Sequence, residues 1–358
     1  MKKIIKILVP LLLVAIFVFS AAVYVSTYHP APVETVTVHN AEGVPSLSSG
    51  QSLKVLSWNV QFMAGNANNH FFYDDGPDPW PDADTVSDVT QRVAAFLNEQ
   101  DPDIVLLQEV DDLASRTHLR DQTQALLELL PQYAAYAETF YWKAAYVPHP
   151  AIQGRVGLKL VVLSKYRLGK ATRHALSAIT SDDILIRQFN LKRAMLQVHL
   201  PVVDGVDLVV INTHLSAFAQ GSNTMDVQIG QIMERLASLN DEAPWVLGGD
   251  FNLLPNVEAF DASPELSNYY NSQGTELSPL IGRYPSVPAL ADIKVDAEPW
   301  YTYMSPTDPE RRPNRTIDYV FYASTLNRLA GEVLRGDATS LSDHLPIIVA
   351  FALPDSAP

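Results

Sequence analysis

Six short polar groups interrupt otherwise apolar runs of this sequence, and each carries side chains suited to phosphate or metal chemistry. The sharpest is Gly248-Gly249-Asp250-Phe251-Asn252-Leu253-Leu254-Pro255, directly after the apolar run 243–247. On an extended chain the side chains at i and i+2 share a face. Asp250 and Asn252 are therefore expected to project together, with Phe251 turned into the core. Gly248 and Gly249 are expected to let the backbone approach a bound group without obstruction by a Cβ.

The other five groups share the arrangement. Asn59 follows Val55-Leu56-Ser57-Trp58, Glu109 ends the run 104–108, and His214 follows the run 208–213. Asp318 lies in Thr316-Ile317-Asp318-Tyr319, and Asp343-His344 precede the apolar stretch 345–353. Singly, each has a bland reading. Asn59 suits a bulge, Glu109 a solvated strand end, and His214 a satisfied core histidine. Asp318 suits an ion pair with Arg315, and Ser342-Asp343 a turn cap. Taken together they differ, because buried carboxylates without partners cost several kcal/mol each. Carboxylates converging in this way need a compensating cation, and an oxygen-rich donor set suits Mg²⁺ or Mn²⁺.

The elements that must position these groups are legible from periodicity. Strands are expected at 54–62, 103–110, 156–164, 192–200, 206–215, 244–252, 316–322 and 345–353. Val86, Val89, Val93, Phe96 and Leu97 recur at helical spacing within 85–100, and helices are also expected at 121–130 and 227–239. Mixed strands, several followed by a helix, fit an α/β four-layer sandwich of two packed mixed sheets flanked by helices. Periodicity alone leaves a doubly wound sheet open.

In their order, Leu56-Ser57-Trp58-Asn59, Leu106-Leu107-Gln108-Glu109, Asn212-Thr213-His214, the Gly248 octapeptide, Thr316-Ile317-Asp318 and Ser342-Asp343-His344 resemble the motifs of the endonuclease/exonuclease/phosphatase superfamily. The resemblance spans about 54–353 and implies the four-layer fold with its site at one edge of both sheets. It also implies roles. Glu109 and Asn59 hold a catalytic Mg²⁺, with Asp343 as a second-rank ligand. Asp250 orients and helps deprotonate water, and Asn252 donates to phosphate. His344, hydrogen-bonded by Asp318, serves acid–base chemistry or phosphate stabilisation. His214 matches the second histidine of the nuclease and sphingomyelinase branches, near the leaving group. Two departures stand out. Lys165 and Arg167 replace the Arg and Pro of the family's middle strand, and Lys159 lies where an acidic partner for His214 is expected. A solvated role is expected for Lys159, with phosphate contact by Lys159 or Arg193 as the other reading.

Formal net charge is −15, which argues against a broad nucleic-acid-binding face. The chain has no Cys, which excludes disulfides and thiolate chemistry. Residues 1–6 carry Lys2, Lys3 and Lys6, and 7–25 form an uncharged run at the length of one bilayer span. Lysines before that run place the N-terminus in the cytoplasm and the body outside it, as a single-pass signal anchor. A cleaved signal peptide, cut near Ser20-Ala21-Ala22, is the alternative. Residues 26–50 read as a linker, and 51–354 as one catalytic domain.

These features suggest a metal-dependent phosphodiesterase acting on phospholipid or sphingolipid head groups. The aromatic segment 140–150 is expected either to lie at the membrane interface or to pack on the sandwich. An exported nuclease is the alternative, with Lys159, Lys165, Arg167, Lys170 and Arg173 as its basic cluster. A binding module on an inactive scaffold is disfavoured by six intact motifs. No protein partner is inferable.

Overall fold

The computed structural model describes residues 2–66, 76, 80–179, 183–217, 221–239, 243–256, 266, 269–271, 274–306, 308 and 310–355, with side chains from Lys6 onward. Its strands are β1 (Val33–Val36), β2 (Val38–Asn40), β3 (Leu47–Ser48), β4 (Ser52–Asn59), β5 (Ile104–Asp111), β6 (Ala135–Val147), β7 (Gly154–Ser164), β8 (Ala171–Ala175) and β9 (Ala194–Leu200). They continue with β10 (Val202–Val203), β11 (Leu208–His214), β12 (Trp245–Asp250), β13 (Ser286–Val287), β14 (Tyr303–Met304), β15 (Pro313–Arg315), β16 (Asp318–Tyr322), β17 (Asn327–Val333) and β18 (Ile347–Ala352). Two seven-stranded mixed sheets dominate, ordered β17-β18-β4-β5-β7-β6-β2 and β1-β8-β9-β11-β12-β16-β13.

The sheets stack face to face between helices, giving the expected four layers. On the outer face of the first sheet lies α2 (Ala83–Gln100), capped by the Asp82 carboxylate accepting from Thr85 N at 2.7 Å. Its apolar stripe, Val86, Val89, Val93, Phe96 and Leu97, is buried, and Trp58 of β4 meets Phe96 with ring centroids 5.3 Å apart. Helix α3 (Gln122–Leu129) packs beside it. Helix α5 (Thr224–Ala237) covers the second sheet through Met225, Ile229, Ile232 and Leu236, against Val209, Ile211 and Leu247. Alternation along β4 sends Trp58 to the helices and Ser57 and Asn59 towards the second sheet.

Each sheet contains one parallel pair, β4 with β5 and β11 with β12. Parallel pairs bring their C-terminal ends to one edge, and these ends carry Asn59, Glu109, His214 and Asp250. Antiparallel β16 enters that edge with Asp318 opposite Asp250.

The two glycines of the octapeptide act differently from expectation. A Cβ on Gly248 would stand 2.8 Å from Leu106 Cδ1 and 3.1 Å from Ser57 Cβ, so Gly248 permits the sheets to approach. Gly249 has φ +155°, and its Cβ would fall 2.0 Å from the Thr213 carbonyl oxygen of β11. Both serve packing between strands and sheets rather than access for a ligand.

Residues 26–50 are not a free linker. After α1 (Lys2–Ser26), Thr27 forms an antiparallel bridge to Ala144. Strand β1 then pairs with β8 of the second sheet, β2 pairs with β6 of the first, and β3 pairs with β10. Strands of two to four residues are too short to show a period among the Pro, Ser and Gly around them. Lys6–Ser26 of α1 is long and apolar enough to cross a membrane, with mean hydropathy 2.7 and none of it buried.

Candidate active site

Asp250 ends β12 at the shared edge with almost no exposure, and its Oδ2 collects the site around it. Asn59 Nδ2 donates to it at 3.1 Å, His214 Nε2 lies 3.2 Å away, and His344 Nε2 lies 3.7 Å away. Its Oδ1 accepts from Asn252 N at 2.9 Å. That bond closes a turn, for Asn252 has φ +51°. Extended geometry ends at Asp250, so Asn252 reaches the site by an Asx turn rather than along a shared strand face. Its Nδ2 donates to Leu215 O at 3.3 Å, which leaves one amide hydrogen for another acceptor. Phe251 is buried between the rings of Tyr319 and Phe321, as expected.

Glu109 stands at a bulge in β5, with φ +57° and a register shift against β7 between Leu107 and Val110. The Asn212 carboxamide stabilises this break by donating to Leu107 O at 2.8 Å and Val161 O at 2.9 Å. Gln108 Nε2 completes the buried bridge between the sheets by donating to Asn212 Oδ1 at 2.7 Å. Glu109 is thereby turned towards Asn59, whose Nδ2 donates to its Oε1 at 3.2 Å. Asn59 Oδ1 accepts from Gln61 N at 3.0 Å, so the amide nitrogen rather than the oxygen faces both carboxylates.

His344 and Asp318 form a buried pair, Nδ1 to Oδ2 at 2.8 Å. Asp318 pairs with this ring and not with Arg315. Burial alone would depress the His344 pKa, but Asp318 and then Asp250 outweigh it and hold the ring well above the ordinary histidine range. Asp343, beside it, is nearly buried, with its N–H donated to Gln61 Oε1 at 3.3 Å and Ser342 Oγ 3.4 Å from its Oδ1. Burial pushes the Asp250 carboxyl up to about 7, with His344 opposing the rise and Asp318 adding to it.

His214 differs from His344. Its Nδ1 lies 3.2 Å from the Tyr141 hydroxyl and 3.9 Å from Glu109 Oε1. Burial, then Arg193 and His344, hold its pKa well below the ordinary value, so the ring is neutral. With Asp250 ionised, Nε2 carries the proton and Nδ1 accepts from Tyr141. Tyr141 continues the buried face of Ala135, Ala137 and Thr139, but sequence reasoning took it as one of the aromatic run 140–146 and not as a partner of His214. Arg193 is also present: its guanidinium lies 5.2 Å from the Tyr141 ring centroid, and its buried Nη1 has no hydrogen-bond partner among the described residues.

The structure places several basic residues away from their expected roles. Lys159 is fully buried, with Glu138, Asp121 and Asp112 oxygens at 2.7, 3.2 and 3.5 Å. Arg173 is likewise buried and donates to Phe140 O at 3.1 Å and Lys192 O at 2.7 Å. Lys165 pairs with Asp101 at 2.6 Å. Three of the five members of the basic cluster are thus consumed internally. Most of the aromatic segment 140–150 is strand β6, with Tyr141 in the core and Trp142 Nε1 bonded to Phe189 O.

The profile of the Endonuclease/Exonuclease/phosphatase family matches residues 56–344. The chain belongs to this family. Its fold is that of a metal-dependent phosphoesterase. A solved endonuclease/exonuclease/phosphatase from Beutenbergia cavernae is similar, with TM-score 0.58 and 24% identity over 85% of this chain and 72% of that one. The human nocturnin catalytic domain, solved with a bound sulfate, matches at TM-score 0.52 and 20% identity, covering 88% of this chain and 96% of that one. Truncated TDP2 from Caenorhabditis elegans matches at TM-score 0.51 and 16% identity, covering 85% and 98%. No curated protein sequence matches the chain.

Proposed function

We propose that this family member is a divalent-metal-dependent phosphodiesterase that hydrolyses phospholipid or sphingolipid head groups at a membrane surface. The observation that carries the reading is the convergence of Asn59, His214 and His344 on Asp250 Oδ2, at an edge both sheets share. The α1 helix is its single-pass anchor, with the catalytic domain outside the cytoplasm.

The donor set fits a hard cation. Glu109 would hold Mg²⁺ or Mn²⁺, with Asp343 as a further oxygen donor, and Asn59 would join them through Oδ1 once its carboxamide turns over from Gln61 N. Oxygen atoms of Asp250 and Asp318 and a ring nitrogen of His344 also lie within 4.8 Å of one another. The short His344–Asp318 bond occupies part of that trio, which favours acid–base work there and supports a cation on the Glu109 side. When bound, the cation neutralises charge on the phosphate oxygens. Asp250 orients a water and takes its proton as the water oxygen bonds to phosphorus. Asn252, fixed by Leu215 O, grips a non-bridging oxygen, and the His344 imidazolium steadies another. The phosphorus–ester bond breaks opposite the water, and the neutral His214 steadies the leaving oxygen through a hydrogen bond from Nε2–H. That oxygen takes up a proton from solvent while Asp250 returns its own to solvent. Nη1 of Arg193, without a hydrogen-bond partner among the described residues, is one more donor for phosphate.

Glu109→Gln is expected to raise the Mg²⁺ concentration for half-maximal hydrolysis at least tenfold while leaving the metal-free melting temperature within a few degrees. A metal titration that overlays wild type would remove Glu109 from the cation site.

A further inference from the structure

We infer that helix α4 (Ile184–Phe189) and the β6–β7 hairpin form a docking face for the lipid bilayer, seating the catalytic mouth on the membrane that α1 spans. The inference rests on the proposed reading of α1 as a retained anchor, and it adds which face of the domain meets lipid. Helix α1 is joined to the domain without a flexible tether. Thr27 bridges Ala144, the Tyr28 ring meets Phe140 with centroids 6.4 Å apart, and the Arg173 guanidinium lies 5.7 Å from the Tyr28 centroid. The bilayer end of α1 is therefore fixed on β6.

The register shows which end of the domain this is. Val110, next to Glu109, pairs with Lys159, whereas Ala144 pairs with Val156, further out along β7. The hairpin thus projects beyond the catalytic edge, and α1 leaves the domain beside the active site. Helix α4 is clamped to the same hairpin: Trp142 Nε1 donates to Phe189 O at 2.6 Å, and Phe189 packs on the cluster of Ala144, Val147 and Val156. The chain then returns through Lys192 to Arg193 at the site.

This corner displays aliphatic side chains that the fold does not use. Ile184, Leu185 and Ile186 are 74%, 50% and 50% exposed, and Tyr146 on the hairpin is 50% exposed. An exposed apolar patch of this kind marks an interaction surface. Lys143 of β6 and Arg187 of α4 lie on the same two elements, and Asp183 stands at the start of α4. Of the Lys and Arg between 139 and 203, Lys159, Arg173 and Arg193 are buried and Lys165 pairs with Asp101, which leaves Lys143 and Arg187 as the cations of this corner. Aliphatic residues beside cations, on the corner from which an apolar helix emerges, suit an interface bearing anionic lipid.

The Cys-free chain permits a direct test. Full-length Leu185→Cys and Asp204→Cys variants carry an environment-sensitive fluorophore and are reconstituted into phosphatidylcholine–phosphatidylglycerol vesicles. Asp204 precedes β11 at the end remote from the site. Spin-labelled lipid is expected to quench the fluorophore at 185 at least threefold more than that at 204. Equal quenching, with the chain still resisting alkaline extraction, would overturn the docking face alone. Release of the chain by alkali would overturn the anchor reading and this face with it. Crosslinking between two copies through position 185, without lipid quenching, would mark a dimer face and likewise overturn it. Leu185→Ser with Ile186→Ser is expected to slow hydrolysis of vesicle lipid about tenfold and to leave turnover of a water-soluble phosphodiester unchanged.

Discussion

Asp250 carries opposed demands that no single charge state satisfies. Its carboxyl is pushed up to about 7 by burial, against 3.8 for the free group. The folded state therefore favours the proton, and ionisation at higher pH costs stability. The sign follows: this group's contribution is present at low pH and is lost as pH rises through about 7. Asp250→Asn removes the buried charge and is expected to stabilise the metal-free protein at pH 8 by on the order of 2 kcal/mol. It should also lower hydrolysis by roughly 10³-fold or more, because it removes the proposed base. Calorimetry in chelator beside a rate assay checks both, and a destabilised variant would contradict the electrostatic account. For wild type, activity is expected to rise with pH up to about 7, as Asp250 deprotonates, with bound cation moving that limb lower. Tyr141 supports His214 where a carboxylate partner was expected. Tyr141→Phe is expected to reduce kcat about tenfold with little change in KM, and to free His214 Nδ1 to exchange tautomers. Nitrogen NMR of the ring reads that exchange, and an unchanged tautomer with unchanged kcat would remove Tyr141 from the machinery.

Among the elements, β5, β11 and β12 were readable as apolar runs because strands buried on both faces are nearly continuous in Val, Ile and Leu. The amphipathic helices α2 and α5 were equally legible from their apolar stripes. The bulge at Glu109 was not, because it depends on the side chain of the distant Asn212. Nor was the turn at Asn252, because an Asp followed two residues on by an Asn suits an extended strand as well as the Asx turn that Asp250 Oδ1 closes. The reason for the two glycines was also hidden in sequence. A clash between Gly249 and Thr213 O arises only when β11 and β12 lie side by side. Gly249→Ala is expected to destabilise the fold by about 3 kcal/mol, since backbone must move to clear a 2.0 Å contact. The shift passes to His214, the next residue, so activity should fall even in the folded fraction. Denaturant unfolding and a rate on the soluble protein separate the two effects, and wild-type stability would refute the steric reading.

For the whole molecule, the fold and the order of the site groups were visible because polar side chains at the ends of apolar strands are costly without a shared purpose. Edge strands β1 and β2 escaped notice, being too short to show a period, yet they tie the segment after α1 to both sheets. The basic cluster misled for the converse reason. Lys159 and Arg173 look like surface charges in sequence, and only the packed structure shows the partners that bury them. Their burial removes much of the basic surface a polyanion requires and leaves the cations near α4 beside the apolar helix. The most direct test of the central claim is hydrolysis by the purified full-length chain of sphingomyelin, glycerophospholipids, inositol phosphates, DNA and RNA, each with Mg²⁺ and with chelator. The account predicts Mg²⁺-dependent release of a phosphorylated head group from vesicle lipid, abolished in Asp250→Asn. Turnover confined to nucleic acid, or lipid hydrolysis undiminished by chelator, would contradict it.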